Sequence, residues 1–271
     1  MNIHTQYSTL KMTILDKIIE RKKIEVEKAK ASVPLEELVN YPYFNVACLS
    51  LRESILDPDK TGIIAEYKRA SPSKGDINSS ARVEDVVKAY EEAGASAVSV
   101  LTDSEFFKGT LEDLSNARQA ISIPILRKEF IVDKYQIAEA KAYGADVILL
   151  IAACLKKEEV QEFAAYAHQI GLNVLLEVHN EHELLDNLFD DIDAIGVNNR
   201  NLKDFSVDIQ HSYDLLDKIP SEYIKVSESG ISNPQTIREL KKAGFQAFLI
   251  GENFMKTDDP GQAIKDFVKE I

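Results

Sequence analysis

The sequence predicts an α/β fold: a (β/α)8 TIM barrel carrying an N-terminal helical extension. Three observations lead there. Eight short β-branched apolar runs recur along the chain, stretches of helical period separate them, and four helix ends share one glycine device. Alternation of this kind marks βαβ units and a parallel sheet. A count of eight, with no second composition zone, favours a closed barrel over an open doubly wound sheet. The 271 residues suit one such domain, since barrels of this class typically take about 250.

In chain order, residues 1–61 stand apart from the repeat. We divide the chain into a helical extension, 1–61, that packs on the barrel, and the barrel itself, 62–271, together one domain. Ile14-Leu15 and Ile18-Ile19 place apolar pairs one helical turn apart, which predicts a helix over 13–31 that Pro34 interrupts. A second short helix fits within 44–56. The dense charge over 20–30 suits a solvated helix lying across the barrel. The same segment suits a lid or floor beside an active site, and periodicity leaves both open. From there the expected strands are 62–66, 97–101, 123–127, 146–151, 173–177, 194–197, 223–226 and 247–250. The expected helices are 83–93, 111–120, 135–143, 156–170, 181–189, 209–219, 234–243 and 261–271. Asn233 before Pro234, and Asp133 before Lys134, read as helix N-caps. Gly94, Gly144, Gly171 and Gly244 each fall just past a helix and just before a strand, where glycine takes the left-handed cap conformation cheaply.

Composition removes several function classes. The net charge of −13 repels nucleic acid and anionic membrane surfaces, so neither is expected as a partner. The longest apolar run, 147–154, is too short to span a bilayer. The first ten residues are polar and lack a signal-peptide core. Cys48 and Cys154 form no motif, which fits a reducing compartment, and a cytoplasmic protein is expected. There is no zinc-ligand spacing, no Walker loop and no GxGxxG, so neither metal nor cofactor is expected. An anionic small molecule can still bind where cations gather in one cleft.

In barrels of this class the chemistry sits at the C-terminal strand ends. Here those ends are polar: Glu66-Tyr67-Lys68, Arg127-Lys128-Glu129, Glu177-Val178-His179, Asn198-Asn199-Arg200 and Ser227-Glu228-Ser229. Side chains alternate along a strand, so Glu66 and Lys68 share a side, as do Glu177 and His179. Polar groups facing a barrel interior are costly unless paired or functional. Lys68 and Lys128 at a crowded rim suit an acid, a base or a Schiff-base nucleophile, with a depressed pKa expected there. With Glu177 and Glu228 they make an acid–base set, although each alone reads equally as a rim salt bridge. The small residues of Ser229-Gly230-Ile231-Ser232 and Gly251-Glu252-Asn253 after the last two strands suit phosphate, and Ser71-Pro72-Ser73 is a further donor-rich loop. The five histidines carry no metal or catalytic pattern and are read as structural.

These motifs are familiar as a set. Glu66-Tyr67-Lys68-Arg69-Ala70-Ser71-Pro72-Ser73, Leu126-Arg127-Lys128-Glu129-Phe130-Ile131 and Glu177-Val178-His179-Asn180 resemble signatures of the indole-3-glycerol phosphate synthase family. So do Gly196-Val197-Asn198-Asn199-Arg200-Asn201-Leu202 and Ser227-Glu228-Ser229-Gly230-Ile231, and the match runs in order along the chain. The resemblance implies a lyase of tryptophan biosynthesis that closes the ring of 1-(2-carboxyphenylamino)-1-deoxyribulose 5-phosphate, losing carbon dioxide and water without a cofactor. By that resemblance Lys128 is the general acid and Lys68 a second lysine that pairs with a substrate anion. Glu177 assists a later proton transfer, while Glu66, Asn198 and Glu228 orient substrate and lysines. Ser71 and Ser229 contact the anthranilate carboxylate and ribulose hydroxyls. Arg200, Gly230 and Gly251 hold phosphate, and Phe107 and Phe130 wall the aromatic ring. A monomer or weak homo-oligomer is expected.

One departure is Glu252, where the family usually has a small residue; a carboxylate there weakens or shifts a phosphate contact. Three rivals remain at this point. A phosphoribosylanthranilate isomerase would be shorter, would lack the N-terminal helix and would use a Cys–Asp pair. A Schiff-base aldolase would use Lys128 as nucleophile. A non-enzymatic interaction module would not gather charge at one rim.

Overall fold

The computed structural model describes residues 12–202 and 204–271; the polar opening stretch read above lies outside them. Eight parallel strands among the described residues close into a barrel. They are β1 (Ile63–Tyr67), β2 (Ala97–Leu101), β3 (Ile125–Lys128), β4 (Val147–Ile151), β5 (Asn173–Val178), β6 (Ala194–Asn198), β7 (Ile224–Glu228) and β8 (Ala247–Ile250). Each pairs with the next in sequence, and β8 returns to β1 through Ile63–Phe248 and Ala65–Ile250. The sequential, all-parallel order makes this a (β/α)8 TIM barrel, as the alternation predicted.

Helices α4 (Val83–Glu92), α6 (Leu111–Ala120), α7 (Lys134–Ala142), α8 (Lys157–Gln169), α9 (Glu181–Asp186), α10 (Gln210–Leu216), α11 (Pro234–Ala243) and α13 (Pro260–Val268) form the outer ring. Short α5 (Ser104–Phe107) and α12 (Glu252–Met255) sit in the loops after β2 and β8. The expected caps form. Asp133 accepts from Tyr135 N, and Asn233 accepts from Gln235 N with Pro234 in the first turn. The four cap glycines all have positive φ, from 83° at Gly171 to 129° at Gly244. Two apolar layers result. One fills the space between strands and outer helices, and a smaller one fills the barrel interior around Leu126, Leu149, Leu175 and Val226.

The segment before β1 folds as α1 (Ile14–Ser32), α2 (Leu35–Leu38) and α3 (Leu51–Leu56). Thr13 opens α1 with a reciprocal capping box to Asp16. Pro34 caps α2, so the interruption it predicted is a break between two helices. The short helix expected within 44–56 is Leu51–Leu56, begun by Ser50 as N-cap, which accepts from Glu53 N. The open choice, between a solvated helix lying across the barrel and a lid or floor, resolves element by element. Leu51 and Ile55 of α3 join the barrel-interior cluster, and Leu49 N and Leu51 N donate to Asp146 and Asn173 at the N-terminal ends of β4 and β5. That is the floor. Helix α1 buries Ile18, Lys22 and Val26, one turn apart along one face, and Val26 and Leu38 pack on Tyr135, Ala138 and Ala142 of α7.

Several strands run further than the apolar runs suggested. β3 begins at Ile125 and includes Lys128; β6 includes Asn198; β7 continues through Ser227 to Glu228. The reading closed these strands one residue short of a polar one, Lys128, Asn198 and Ser227. In a closed barrel a polar side chain can keep its ladder position when partners from other strands satisfy it. No helix among the described residues is long and apolar enough to cross a membrane.

Candidate active site

Alternation along the strands carries the acids and bases inward at the C-terminal mouth. Ile64 belongs to the barrel interior, so Glu66, two residues on, faces the same space and is buried. Lys68, just past β1, reaches back to it with Nζ–Oε1 2.7 Å. Lys128, the last residue of β3, crosses the mouth to both Glu177 of β5 and Glu228 of β7, at 2.9 Å each. Asn198 of β6 donates to the other Glu177 oxygen at 2.9 Å. Side chains from five strand ends thus meet in one charged cluster.

The charges within that cluster are unequal. Burial works against the Lys128 ammonium, but Glu177, Glu228 and Glu66 outweigh it and hold its pKa above the ordinary lysine range. This corrects the depressed lysine expected from a crowded rim: carboxylates crowd Lys128, not cations. Burial also disfavours the Glu177 carboxylate, yet Lys128, His179 and Asn198 hold it ionised, below the usual glutamate range. Glu228 goes the other way. Burial pushes it up to about 7 against the pull of Lys128, with the negative charges of Glu177 and Glu66 adding to the rise. Its Oε1 is buried without a hydrogen-bond partner and points at Gly196, where a Cβ would lie 2.0 Å from it. Two carboxyls sharing one lysine are therefore separated into an ionised one and one that carries a proton near neutrality.

One cavity is lined by all of the expected site residues except Gly230 and Gly251. Its apolar side is made by Phe107 of α5 and Phe130 after β3, with ring centroids 6.1 Å apart. Ile14, Leu15 and Ile18 of α1 cover it from above. Its polar side opens, past Lys68, Arg200, Ser229 and Glu252, into an adjoining cavity lined by Gly230, Ile231, Ser232, Gly251 and Asn253. There the backbone leaves β7 through two left-handed residues, Ser229 at φ 66° and Gly230 at φ 78°, and a Cβ on Gly230 would meet Val207 at 2.4 Å. Glu252 lies between two cations, 3.5 Å from Lys74 Nζ and 3.8 Å from Arg200 Nη2. Ser71 lies on the hairpin Ala70–Ser71/Gly75–Asp76 that edges the mouth.

The matches to known proteins fall on this frame. The family model described as "Indole-3-glycerol phosphate synthase" matches residues 15–267. The indole-3-glycerol phosphate synthase of Bacteroides thetaiotaomicron is 48% identical over 258 residues, covering 95% of this chain and 98% of that one. That of Campylobacter curvus is 43% identical over 263 residues, covering 95% and 99%. The chain belongs to the indole-3-glycerol phosphate synthase family. Among solved structures, the tryptophan synthase complex from Pyrococcus furiosus aligns at TM-score 0.58 with 18% identity, over 78% of this chain and 98% of that one, a likeness of fold alone.

Within this family member, two charged side chains that the fold buries at the barrel mouth escaped the sequence reading. His179 was set aside as structural, yet its Nε2 lies 3.3 Å from Glu177 and its Nδ1 3.2 Å from Glu183. Burial opposes its charge, but the two glutamates raise its pKa to about 10, so it is an imidazolium behind Glu177. Its parity with Glu177 was the signal available. Lys22 gave no signal: on α1 it is one lysine among many, and only the tertiary fold buries it. His168 keeps a structural place on α8, 2.9 Å from Asp193.

Proposed function

We propose that this cavity performs the family's ring closure on 1-(2-carboxyphenylamino)-1-deoxyribulose 5-phosphate, releasing carbon dioxide and water to give indole-3-glycerol phosphate. The observation that carries the reading is the Lys128 ammonium held between two carboxyl groups at one end of a cavity. That cavity has an aromatic wall on one side and small, donor-rich loops on the other. The anthranilate ring lies between Phe107 and Phe130. The phosphate lies against Gly230, Gly251 and Arg200, where backbone amides and a guanidinium supply donors. Ser71 and Ser229 face the carboxylate and the ribulose hydroxyls.

In the first step the ring carbon bearing the carboxylate attacks the ribulose carbonyl. A carbon–carbon bond forms and the carbonyl oxygen takes the proton of Lys128. Ammonium placed there stabilises the developing oxyanion. Loss of carbon dioxide returns its bonding electrons to the ring. In the last step the new hydroxyl leaves as water, with Lys68 and Glu177 moving the protons. Glu66, Asn198 and Glu228 orient the substrate and keep the lysines charged.

The same reading makes this an enzyme of the cytoplasm that works as a monomer or weak homo-oligomer and without nucleic acid; the net charge of −13 supports the last point. Adding the substrate to the purified chain, with no metal or cofactor, is expected to produce indole fluorescence at a rate proportional to enzyme. Absence of product, or substrate trapped on Lys128 by borohydride, overturns the reading in favour of no activity or of an aldolase.

A further inference from the structure

The mouth holds a third lysine, buried, that the proposed chemistry does not use. Lys22 of α1 is 4% exposed. Its Nζ lies 2.9 Å from Asp103, 3.0 Å from Glu129 and 2.8 Å from Glu25. Asp103 and Glu129 are themselves buried, and both lie at strand ends of the mouth. Asp103 follows β2 and caps α5 by accepting from Phe106 N at 2.7 Å, so it fixes the helix that carries Phe107. Glu129 follows Lys128. It accepts from Phe130 N and from Thr102 Oγ1, each at 2.8 Å, so it fixes the turn that carries Phe130. The supports of the two aromatic walls, a helix cap and a turn, therefore end on one ammonium, and that ammonium belongs to the helix whose Ile14, Leu15 and Ile18 roof the cavity. Arg21 adds an outer tie to Glu105 at 2.8 Å.

We propose that Lys22 is a positioning residue: it locks the roof helix to the two loops that carry Phe107 and Phe130 and so sets the width of the slot for the aromatic ring. The proposal rests on the reading above for which end of the cavity takes the ring. It requires the effect to be local. The phosphate end is lined by residues at and after β1, β6, β7 and β8, and none of the three carboxylates that hold Lys22 is among them.

The test measures two ligands separately by calorimetry: 2-aminobenzoate for the aromatic end and inorganic phosphate for the other. In Lys22→Met, 2-aminobenzoate binding weakens and phosphate binding is unmoved. kcat/KM for the substrate falls by about 10²-fold, the scale of an ångström-sized misplacement. Lys22→Arg, which keeps the charge, restores most of both losses. If Lys22→Met does not fold, Asp103→Asn gives the decisive comparison, since it keeps the cap acceptor and removes one of the three charges. Either folded variant with 2-aminobenzoate binding at the wild-type level overturns the proposal, and so does a parallel loss of both ligands, which would mean general loosening. Wild-type enzyme that binds both ligands but makes no indole product would instead overturn the functional reading and leave this test standing.

Discussion

Replacing Lys128 with methionine keeps most of the side-chain volume and deletes the charge between Glu177 and Glu228. Both carboxyls lie 2.9 Å from Nζ and both are buried. A pair of charges about 4 Å apart is worth about 4 kcal/mol at an effective dielectric near 20, before desolvation. Removing one partner of a buried ionic group costs about 3–5 kcal/mol of stability, because the remaining charge is left uncompensated. The stranded carboxyls answer by holding protons, so their folded pKa values rise above the unfolded value of about 4.3. A carboxyl raised in this way destabilises the fold as pH climbs through that window and not below it. The deficit of Lys128→Met should therefore be smallest near pH 4 and grow toward neutrality. Turnover loses a positioned acid, about 10²–10⁴-fold, or about 3–5 kcal/mol of barrier. Urea melts across pH and single-turnover fluorescence measure the two effects separately. Adding Glu177→Gln removes one stranded charge, so it should recover stability without recovering rate. Refutation is either of two results: Lys128→Met turning over within about tenfold of wild type, or a double variant whose rate returns with its stability.

Three further perturbations have signed outcomes. His179 titrates at about 10 in the fold and near 6.5 when unfolded, so its stabilisation is complete below pH 6.5 and is lost as pH rises through about 10. The wild-type minus His179→Asn difference in unfolding free energy should fall across that window by no more than about 1.4 kcal/mol per pH unit, the limit for one proton, and a flat difference counts against it. Gly196→Ala puts a methyl 2.0 Å from Glu228 Oε1, so the carboxyl must swing off Lys128 and kcat should drop by about 10²-fold; an unaltered kcat would show that the Lys128–Glu228 contact is dispensable. Glu252→Gln removes an anion seated between Lys74 and Arg200, so KM should fall by less than about fivefold, and added salt should erase the difference because the pair is screened.

The barrel was legible because its signals are local. Apolar runs, helix caps at Asp133 and Asn233, and the four cap glycines each depend on residues within a turn of one another, and the structure keeps all of them. Strand ends were less legible. Glu228, Asn198 and Lys128 continue strands that looked finished, because the partners that satisfy them are 21 to 100 residues away. Glu177 and Glu228 look alike in sequence, and nothing local says which keeps its proton. That difference comes from burial and the charges of Glu177 and Glu66 acting on Glu228, while Lys128, His179 and Asn198 hold Glu177 ionised. Lys22 is the extreme case: its role depends on Asp103 and Glu129, which reach it only when α1 crosses the mouth.

The firmness with which Lys128 is held bears on how it acts. An ammonium stabilised by Glu177, Glu228 and Glu66 is a weak donor to a neutral ketone. It becomes an effective donor only as the carbonyl oxygen turns toward alkoxide. Under the proposed reaction, then, its interaction with the substrate is small at binding and large at carbon–carbon bond formation. That is the condition under which an interaction raises kcat and not merely affinity. The carboxylates that restrain the acid thus delay it, and they also keep Lys128 charged whatever the external pH in the neutral range. Weakening that hold, as Glu177→Gln does, should make Lys128 easier to deprotonate and bring an alkaline decline of kcat to lower pH than in the wild type. A decline at the same pH in both would mean that some other group sets it.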